Sequence, residues 1–324
     1  MSMLKNFFII IIVFTILTSS IFFGFYFFIE KNPQEIKSQT ILSFSEGVKD
    51  AQSIKLLFVG DIMLDRTIRK DGERYGYKNL FACLEEKFSE YDLVIGNLEG
   101  TVTDYESVSR DARYMSPESF RFTFDIEAVK ALRDIGLRVV SLVNNHITDF
   151  GKEGIKQTVN NLDEIGVQHF GSPHAQGRPW LIRTIDDTRI VFIPYNEFSG
   201  TADQTIQSLK ETSEISDIQI VFAHWGAEYV EVLPSVKKLA KIFVDNGADL
   251  IIGAHPHVIQ EKEIYNSVPI YYSLGNFIFD QYFSPEVKKG LAVNVEILDK
   301  SIINTSELFV LSERKKGTCF QNPI

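Results

Sequence analysis

The sequence predicts an α/β protein in which two β-sheets pack together and helices flank them. Two observations predict this class. From residue 54 onward, short apolar strand-like runs alternate with helical patterns, which is typical of βαβ units and a largely parallel sheet. After residue 257 the pattern changes to consecutive strand-like runs, which indicates a second, more antiparallel sheet. The chain has 324 residues, 44% of them hydrophobic, enough for one large domain or two ordinary ones.

The first half of the folded region supplies strands and helices in strict alternation. Each predicted strand is a short apolar run, and each predicted helix repeats apolar residues at spacings of three and four. In chain order we predict strand 55–59, helix 79–88, strand 93–96, helix 126–135, strand 138–143 and helix 154–165.

The second half begins in the same way and then changes. Gly247 directly follows a helical pattern at residues 235–246, and glycine is common immediately after a helix. We predict strands 189–194 and 219–223, helix 235–246, strand 249–253, and then the strands 270–274, 291–297 and 305–311 of the second sheet.

The N-terminal segment predicts a membrane anchor. Residues 7–29 are almost wholly apolar, and about 22 residues at about 1.5 Å each span the ~30 Å hydrocarbon core of a bilayer. A cleaved signal peptide is the alternative, but large aromatic residues fill positions 22–28 where a cleavage site needs small ones. We therefore expect a short segment 1–6 and a single-pass signal anchor at 7–29, with the large domain outside the cytoplasm.

The rest of the chain divides into three parts. Residues 30–53 are polar and contain proline and serine, which is typical of a linker. The folded domain is predicted at 54–311, followed by a tail at 312–324. Only two cysteines occur, so the sequence predicts neither a disulfide framework nor a thiolate metal site; Cys83 is expected to pack as an apolar residue and Cys319 to lie in the tail.

The charge of the chain limits the choice of partners. A formal net charge of -10 and a pI near 5.2 argue against a nucleic-acid binder, because such proteins present a basic surface to phosphates. An anionic ligand would have to be attracted locally, and a bound cation supplies that attraction.

Five short polar clusters follow strand-like runs and are the main functional signal. Parallel sheets gather ligands at the carboxyl ends of their strands, so we expect these clusters to converge. Oxygen and imidazole ligands together suit a divalent transition metal. The clusters are Gly60-Asp61, Asn97-Leu98-Glu99, Asn144-Asn145-His146, His224-Trp225-Gly226 and His255-Pro256-His257.

The side chains of these clusters predict a metal centre at the carboxyl edge of the sheet. His255 and His257 leave a buried strand and direct two imidazoles at one point if Pro256 stiffens the turn. Asp61 and Glu99 add carboxylates, and a carboxylate that bridges two metals ~3.5–4 Å apart would hold a dinuclear site. Each residue alone is compatible with an ordinary loop or packing role, and the interpretation depends on the clusters together.

The remaining clusters supply further ligands and a proton donor. His224 offers a third imidazole, and the carboxamide oxygen of Asn145 is another metal ligand. His146 is the candidate general acid, and Asp149 is placed to orient its ring. Arg66 and Arg121 are candidate substrate-binding residues, because guanidinium groups bind carboxylate or phosphate bidentately.

These residues give the chain its resemblance to a known family. It resembles the CapA family of capsule biosynthesis proteins, which is associated with poly-γ-glutamate synthesis and related to the calcineurin-like metallophosphoesterases. The resemblance runs in family order through residues 58–66, 96–100, 144–151, 224–229, 253–257 and 273–281.

The resemblance implies a fold, a location and a function. It implies a four-layer metallophosphatase-like sandwich, a membrane-anchored extracytoplasmic domain, and a part in making or exporting poly-γ-glutamate with the synthase and export membrane proteins. It implies one or two divalent metal ions, Mn, Zn or Fe, and a catalytic His146. The metal ligands that it implies are Asp61, Glu99, Asn145, His224, His255 and His257.

Two positions depart from the broader phosphoesterase pattern. Met63 stands where those enzymes have the histidine of a D-x-H motif, and Asn97 stands in place of a bridging aspartate. The loss of an imidazole should weaken one of the two metal positions, and Asn97 becomes a candidate substrate contact. Three functions stay open: a component of poly-γ-glutamate biosynthesis, a metal-dependent hydrolase of a phosphoester or amide, and a non-catalytic scaffold.

Overall fold

The computed structural model of the chain describes residues 53–113, 115–173, 179–314 and 316–321, and the structural statements below concern these residues. They belong to one compact unit that starts at Ser53. The predicted anchor at 7–29, with the segment before it and the linker up to residue 52, lies outside the described residues. Among the described helices, none has the length and apolar character needed to cross a membrane.

The described chain alternates strands and helices through most of its length, with 3₁₀ helices at Pro117–Phe120 and Asn145–Thr148. In order they are β1 (Ile54–Ile62), α1 (Arg66–Tyr75), α2 (Tyr77–Phe88), β2 (Leu93–Leu98), β3 (Thr101–Val102), β4 (Thr123–Phe124), α3 (Ile126–Asp134), β5 (Leu137–Ser141), α4 (Gly151–Glu164), β6 (Gln168–Phe170), β7 (Leu181–Ile185), β8 (Thr188–Asn196), α5 (Ala202–Thr212), β9 (Ile218–His224), α6 (Pro234–Asp245), β10 (Leu250–Ala254), β11 (Lys262–Tyr265), β12 (Val268–Tyr271), β13 (Asn276–Ile278), α7 (Pro285–Lys288), β14 (Lys289–Leu298), β15 (Ser301–Glu313) and β16 (Gly317–Phe320).

Side-chain caps fix where several helices begin. The Asp65 carboxylate accepts a hydrogen bond from the first backbone N–H of α1, and Asp125 does the same for Glu127 in α3. Thr201 and Gln204 form a reciprocal capping box at the start of α5. Each of these contacts satisfies a backbone donor that has no partner inside the helix.

The first sheet is mixed and has eight strands. Its order is β16-β15-β14-β1-β2-β5-β6, with β13 also paired to β1. Strands β1, β2, β5 and β6 are parallel, as the alternating pattern predicts, whereas β14, β15 and β16 are added antiparallel on the other side of β1.

The second sheet has six strands in the order β11-β12-β10-β9-β8-β7. Its central strands β8, β9, β10 and β12 are parallel, and only the edge strands β7 and β11 are antiparallel. Because helices α5 and α6 connect its central strands, this sheet is built from βαβ crossovers as the first one is.

The two sheets pack face to face between layers of helices. Alternate residues of β1 point to opposite faces, so Leu57 contacts the helical layer while Leu56 and Phe58 enter the core between the sheets. A third apolar cluster, which includes Val221 of β9 and Phe243 of α6, lies between the second sheet and its helices. The observed order of layers is therefore helix, sheet, sheet, helix.

The prediction of two packed sheets is confirmed, and β3 and β4 form an additional two-stranded sheet. The predicted division of strands between the two large sheets is wrong. Strands 291–297 and 305–311 were expected in a second, antiparallel sheet, whereas β14 and β15 belong to the first sheet beside β1. The predicted strands 189–194, 219–223 and 249–253 instead form the centre of the second sheet. Pairing between distant strands depends on which edge is free, and periodicity along the chain does not contain that information.

The end of the domain also differs from the sequence prediction. Strand β15 continues to Glu313, past the expected boundary at 311, and β16 pairs with it inside the expected tail. Cys319 of β16 forms a disulfide with Cys83 of α2, across 236 residues of sequence. The prediction of no disulfide is therefore wrong, because two cysteines so far apart in sequence give no local pairing signal.

Candidate metal centre

The polar clusters of the sequence meet at the carboxyl edges of both sheets. Asp61 lies near the end of β1, His224 ends β9, and His255 directly follows β10. Asp61, Glu99, His224, His255 and His257 are all buried. The predicted convergence of these clusters is thus seen in the structure, in the polar space between the ends of the two sheets.

Close backbone packing places Asp61. A Cβ atom on Gly60 would lie 1.9 Å from the Gly275 carbonyl oxygen, so only glycine allows the two segments to approach. The Asp61 backbone N–H then donates to that same carbonyl at 3.0 Å. This contact holds the Asp61 carboxylate at the edge of the sheet, facing the histidines.

A buried amide network holds the ligands in position. The Asn97 amide nitrogen donates to Asp61 Oδ1 at 2.7 Å and lies 3.2 Å from His224 Nδ1. The Asn144 side chain donates to the Leu98 carbonyl at 2.9 Å and caps the 3₁₀ helix that carries Asn145. Asn97 was predicted to contact substrate. It is fully buried and lies behind the ligands, where its hydrogen bonds orient them.

The acidic and imidazole side chains form two groups with metal-ligand spacing. Within each group the ligand atoms all lie within 4.8 Å of one another. Glu99 belongs to both groups, with His224 and His255 in one and with Asp61 and His257 in the other. The carboxamide oxygen of Asn145 lies 2.9 Å from His224 Nε2, beside the first group.

Glu99 is a buried acid without a hydrogen-bond partner in the described part of the chain. It is fully buried, and neither carboxylate oxygen has a hydrogen-bond partner within the described residues. Its Oε1 lies 3.8 Å from His257 Nε2 and 4.0 Å from His224 Nε2. A buried carboxylate in this state is costly, and a divalent cation between these groups would compensate its charge.

The electrostatics of the site fit the same ligand. Burial raises the pKa of Glu99 well above its ordinary value, and the Asp61 carboxylate raises it further. Burial lowers the pKa of His257, but Glu99 and Asp61 outweigh that effect and raise it to about 9. Burial and the neighbouring His257 lower the pKa of His255 to about 4. Without a metal ion, the carboxylates thus favour a positive charge on His257, which a bound cation would replace, while His255 is in the neutral form that binds a metal.

The turn between the last two histidines is strained. His255 and His257 have φ values of 97° and 58°, a region that non-glycine residues rarely adopt. Pro256 lies between them, as the motif predicts. Strained backbone of this kind persists where surrounding structure holds it and is frequent at functional sites.

Comparisons with known proteins assign the chain to a family. Residues 55–281 match the family described as bacterial capsule synthesis protein PGA_cap. The chain belongs to the PGA_cap family.

Two curated relatives of this PGA_cap member have capsule-related names. The PGA biosynthesis protein CapA of Bacillus subtilis (strain 168) is 31% identical over 265 residues, which is 74% of this chain and 66% of that protein. The capsule biosynthesis protein CapA of Bacillus anthracis is 30% identical over 260 residues, 72% of this chain and 61% of that protein. The chain therefore spans just under two thirds of the length of these relatives.

A solved structure shares the fold. A hypothetical protein from Thermus thermophilus aligns with a TM-score of 0.53 at 18% identity and covers 79% of this chain and 98% of that one. At this identity the likeness concerns the fold alone.

A histidine and an aspartate lie beside the metal groups of this PGA_cap domain. His146 Nδ1 lies 2.9 Å from the Asp149 carboxylate, the contact that the sequence predicts. Asp149 also accepts from the Phe122 backbone N–H at 2.7 Å, which fixes the carboxylate. The Phe122 ring packs 4.3 Å from the His146 ring, centroid to centroid. These contacts leave Nε2 as the reactive nitrogen of His146.

The predicted substrate-binding arginines are held by protein contacts. Arg66 forms an ion pair with Asp280, and its guanidinium lies 5.0 Å from the Phe122 ring centroid. Arg121 donates to the Asp149 carbonyl at 3.2 Å and is itself exposed. Arg121 therefore keeps a surface for an anion next to His146, while Arg66 is committed to Asp280.

Sequence reasoning gave no role to a chain of amides beside His257. Asn276, at the start of β13, accepts from His257 Nδ1 at 3.0 Å and donates to Gln281 Oε1 at 3.0 Å. Gln281 in turn donates to the Tyr229 hydroxyl at 2.8 Å. All three lie in stretches that carry the family resemblance, but neutral amides have no ligand spacing that marks them in a sequence.

Proposed function

We propose that this PGA_cap member is a membrane-anchored, extracytoplasmic component of poly-γ-glutamate capsule biosynthesis with a two-metal centre. The observation that carries the proposal is Glu99, shared by two buried ligand groups and without a hydrogen-bond partner within the described chain. The capsule names of the two CapA relatives support the pathway. The partners would be the polymer itself and its synthase and export membrane proteins.

The layered architecture supports a metallophosphatase-like fold within this proposal. The layer order of helix, sheet, sheet and helix, with ligands at the carboxyl ends of strands from both sheets, is the arrangement that such a fold requires. Asp61, Asn145, His224, His255, His257 and the shared Glu99 would hold Mn, Zn or Fe ions. Met63 replaces the histidine that phosphoesterases use at one of the two metal positions. That metal position keeps Asp61, Glu99 and His257 as ligands, so it should bind its ion more weakly than the other one.

The disulfide supports the extracytoplasmic location. Disulfides persist in oxidising compartments and are rare in the bacterial cytoplasm. The Cys83–Cys319 bond lies within the folded domain, so that domain would mature on the outer side of the membrane. This agrees with the anchor expected at residues 7–29.

A hydrolase activity of the same site is the second candidate. The ordered pair of His146 and Asp149 favours it, because a scaffold needs no imidazole held by a carboxylate. Bound metal ions would supply Lewis acidity at the site. Asp149 would hold the proton on Nδ1, Nε2 of His146 would give a proton to the leaving group, and Arg121 would hold an anionic group nearby.

Elemental analysis of the full chain, purified in detergent, tests the proposal. We expect about two transition-metal ions per chain in the wild type and their loss in His255→Ala/His257→Ala. His169→Ala is the matched control, because His169 contacts Asp163 away from the centre and its loss should leave the metal content unchanged. In a poly-γ-glutamate producer that lacks its own family member, the wild type and the control should restore polymer, and the double variant should not.

The same preparations separate the two candidates. Turnover of a phosphodiester that His146→Ala reduces by about 10²–10⁴-fold, with its metal content intact, would assign the hydrolase activity. A metal-free wild type after incubation with Mn²⁺ or Zn²⁺, or polymer yield unchanged by the double variant, would refute the metal-centred function.

A further inference from the structure

A groove of about 690 Å³ opens beside the candidate metal centre. Its inner end is Tyr229, whose ring centroid lies 5.9 Å from that of His257 and 5.3 Å from that of Phe283. Val258 and Ile259, which directly follow His257, line it further on. We call this surface the Tyr229 groove. It is large enough for part of a polymer chain, since ligand sites are commonly ~300–1,000 Å³.

Aliphatic and aromatic side chains form one part of the Tyr229 groove, which we call its apolar floor. Val232, Val258, Ile259 and Val287 line it, and the Tyr229 and Phe283 side chains are 43% and 60% exposed. The two rings and the partly exposed Val232, Val258 and Ile259 leave apolar surface open to solvent in the groove, whereas Val287 is buried beneath it. Such surfaces on soluble domains usually mark binding sites.

The charges around the groove have both signs. Lys237 is paired with Glu261 at 2.5 Å. Lys289 makes no ion pair within the described residues and is exposed, and Glu231 and Glu286 complete the charged lining. Among the described residues that line the groove, Lys289 is the lysine without an ion pair, so it is available to one ligand carboxylate, whereas the glutamates would repel a second anionic group close to it.

Tyr229 connects the groove to the metal ligands. Its hydroxyl accepts from Gln281, which accepts from Asn276, which accepts from His257. The backbone N–H of Tyr229 also donates to the Pro256 carbonyl at 2.9 Å, within the histidine turn. The position of the Tyr229 ring is therefore fixed relative to the metal centre, and a chain in the groove would be aligned with that centre.

We propose that the Tyr229 groove holds the chain of a γ-linked glutamate polymer next to the metal centre. Each γ-glutamyl unit has two methylene groups, an amide and one carboxylate. The methylene groups pack on the apolar floor and on the Phe283 ring, and a carboxylate pairs with Lys289. The inference rests on the proposed function and adds to it the subsite that aligns the polymer.

Binding of a short γ-linked glutamate oligomer to the full, Mn²⁺-loaded chain tests the inference by calorimetry. We expect Phe283→Ala to raise Kd about tenfold, because it removes an exposed anchor ring. Phe309→Ala is its control, since Phe309 is 51% exposed on β15 and does not line the groove. Lys289→Ala should also weaken binding, and this effect should fade at high salt. Lys316→Ala, at a distant turn, should have no effect.

Metal content, measured on the same samples, separates this inference from the proposed function. A wild type that binds metal but not the oligomer, or variants with wild-type Kd, would overturn the groove assignment and leave the metal centre standing. Tighter binding of a neutral oligosaccharide than of the γ-glutamate oligomer would assign the groove to glycans and overturn the inference. A metal-free wild type would refute the proposed function whatever the groove binds.

Discussion

At the scale of single residues, Glu99 distinguishes this site from a group of buried acidic residues that have only a structural role. Buried carboxylates in folded proteins are normally hydrogen-bonded, and here neither oxygen has a hydrogen-bond partner within the described chain. Asn97, which stands in place of a bridging aspartate, is neutral and already bonded to Asp61. We therefore propose that Glu99, two residues further along, takes the bridging role.

We expect Glu99→Gln to reduce the metal content from about two ions per chain to about one. Both metal positions lose the negative charge of the Glu99 carboxylate, but His224, His255 and Asn145 still form one group of metal ligands. The free energy of unfolding of the metal-free protein should change by less than about 1 kcal/mol, because burial already favours the neutral acid.

Elemental analysis and urea unfolding measure the two quantities. Glu164→Gln, at an exposed position near the end of α4, is the matched control and should leave both unchanged. Two ions retained by Glu99→Gln would show that Glu99 is not a shared ligand.

The site residues that the sequence predicted share one property. Asp61, His224 and His255 lie at or just after the ends of apolar strands, so local pattern and strand direction were sufficient to group them. Asn276 was missed because its function depends on a contact with His257, 19 residues away. Gln281 was missed because it reaches that histidine only through Asn276. Neither charge nor spacing marks these contacts.

At the scale of elements, the last strand is part of the core of the fold. β16 pairs with β15, and its Phe320 ring packs against Phe88 of α2 at 6.3 Å. Gly317 lies so close to α2 that an added Cβ atom would meet the Leu80 carbonyl at 2.0 Å. The disulfide adds a covalent bond to an interface that is already packed.

We expect Cys83→Ser to lower the free energy of unfolding by about 2–4 kcal/mol, because the bond restricts a long loop in the unfolded chain. The corresponding fall in Tm is about 5–10 °C for a domain of this size. Thermal unfolding with and without dithiothreitol measures it.

The bond itself provides the control. Cys319→Ser and the double variant should match Cys83→Ser, and reductant should lower the Tm of the wild type only. If reductant leaves the wild-type Tm unchanged, the two sulfur atoms are not bonded in the protein.

The elements show where sequence reasoning was sufficient. The helices predicted at 79–88, 126–135, 154–165 and 235–246 match α2, α3, α4 and α6 to within a few residues, because each carries a regular apolar face. Helices α1 and α5 were not predicted, because their sequences are short and mostly polar and so lack a regular apolar face. Sheet membership was assigned wrongly because β14 pairs with a strand more than 200 positions earlier and β15 follows it.

At the scale of the whole molecule, the candidate metal centre lies where the two sheets meet. Asp61 and Glu99 belong to or follow strands of the first sheet, whereas His224 and His255 belong to or follow strands of the second. Ions bound there would link the two sheets at their carboxyl edges. Metal binding should therefore stabilise the domain as a unit.

Saturating Mn²⁺ or Zn²⁺ should raise the Tm of the metal-free chain by about 5–10 °C, because a ligand at 100 times its Kd contributes about 2.7 kcal/mol. Differential scanning calorimetry with and without chelator measures the shift. His255→Ala/His257→Ala should show almost none of it, and an equal shift in that variant would place the stabilising ions elsewhere.

The pairing of β1 with β14 has a consequence for biosynthesis. β1 is the first described strand of the domain to be synthesised, yet one of its neighbours begins at Lys289 and the disulfide partner of α2 is Cys319. An exported chain would therefore cross the membrane with the pairing of its central strand incomplete until β14 arrives, and with α2 unbridged until Cys319 arrives. Because long-range pairing is slow, such a nascent chain would depend on chaperones and thiol oxidants on the far side of the membrane.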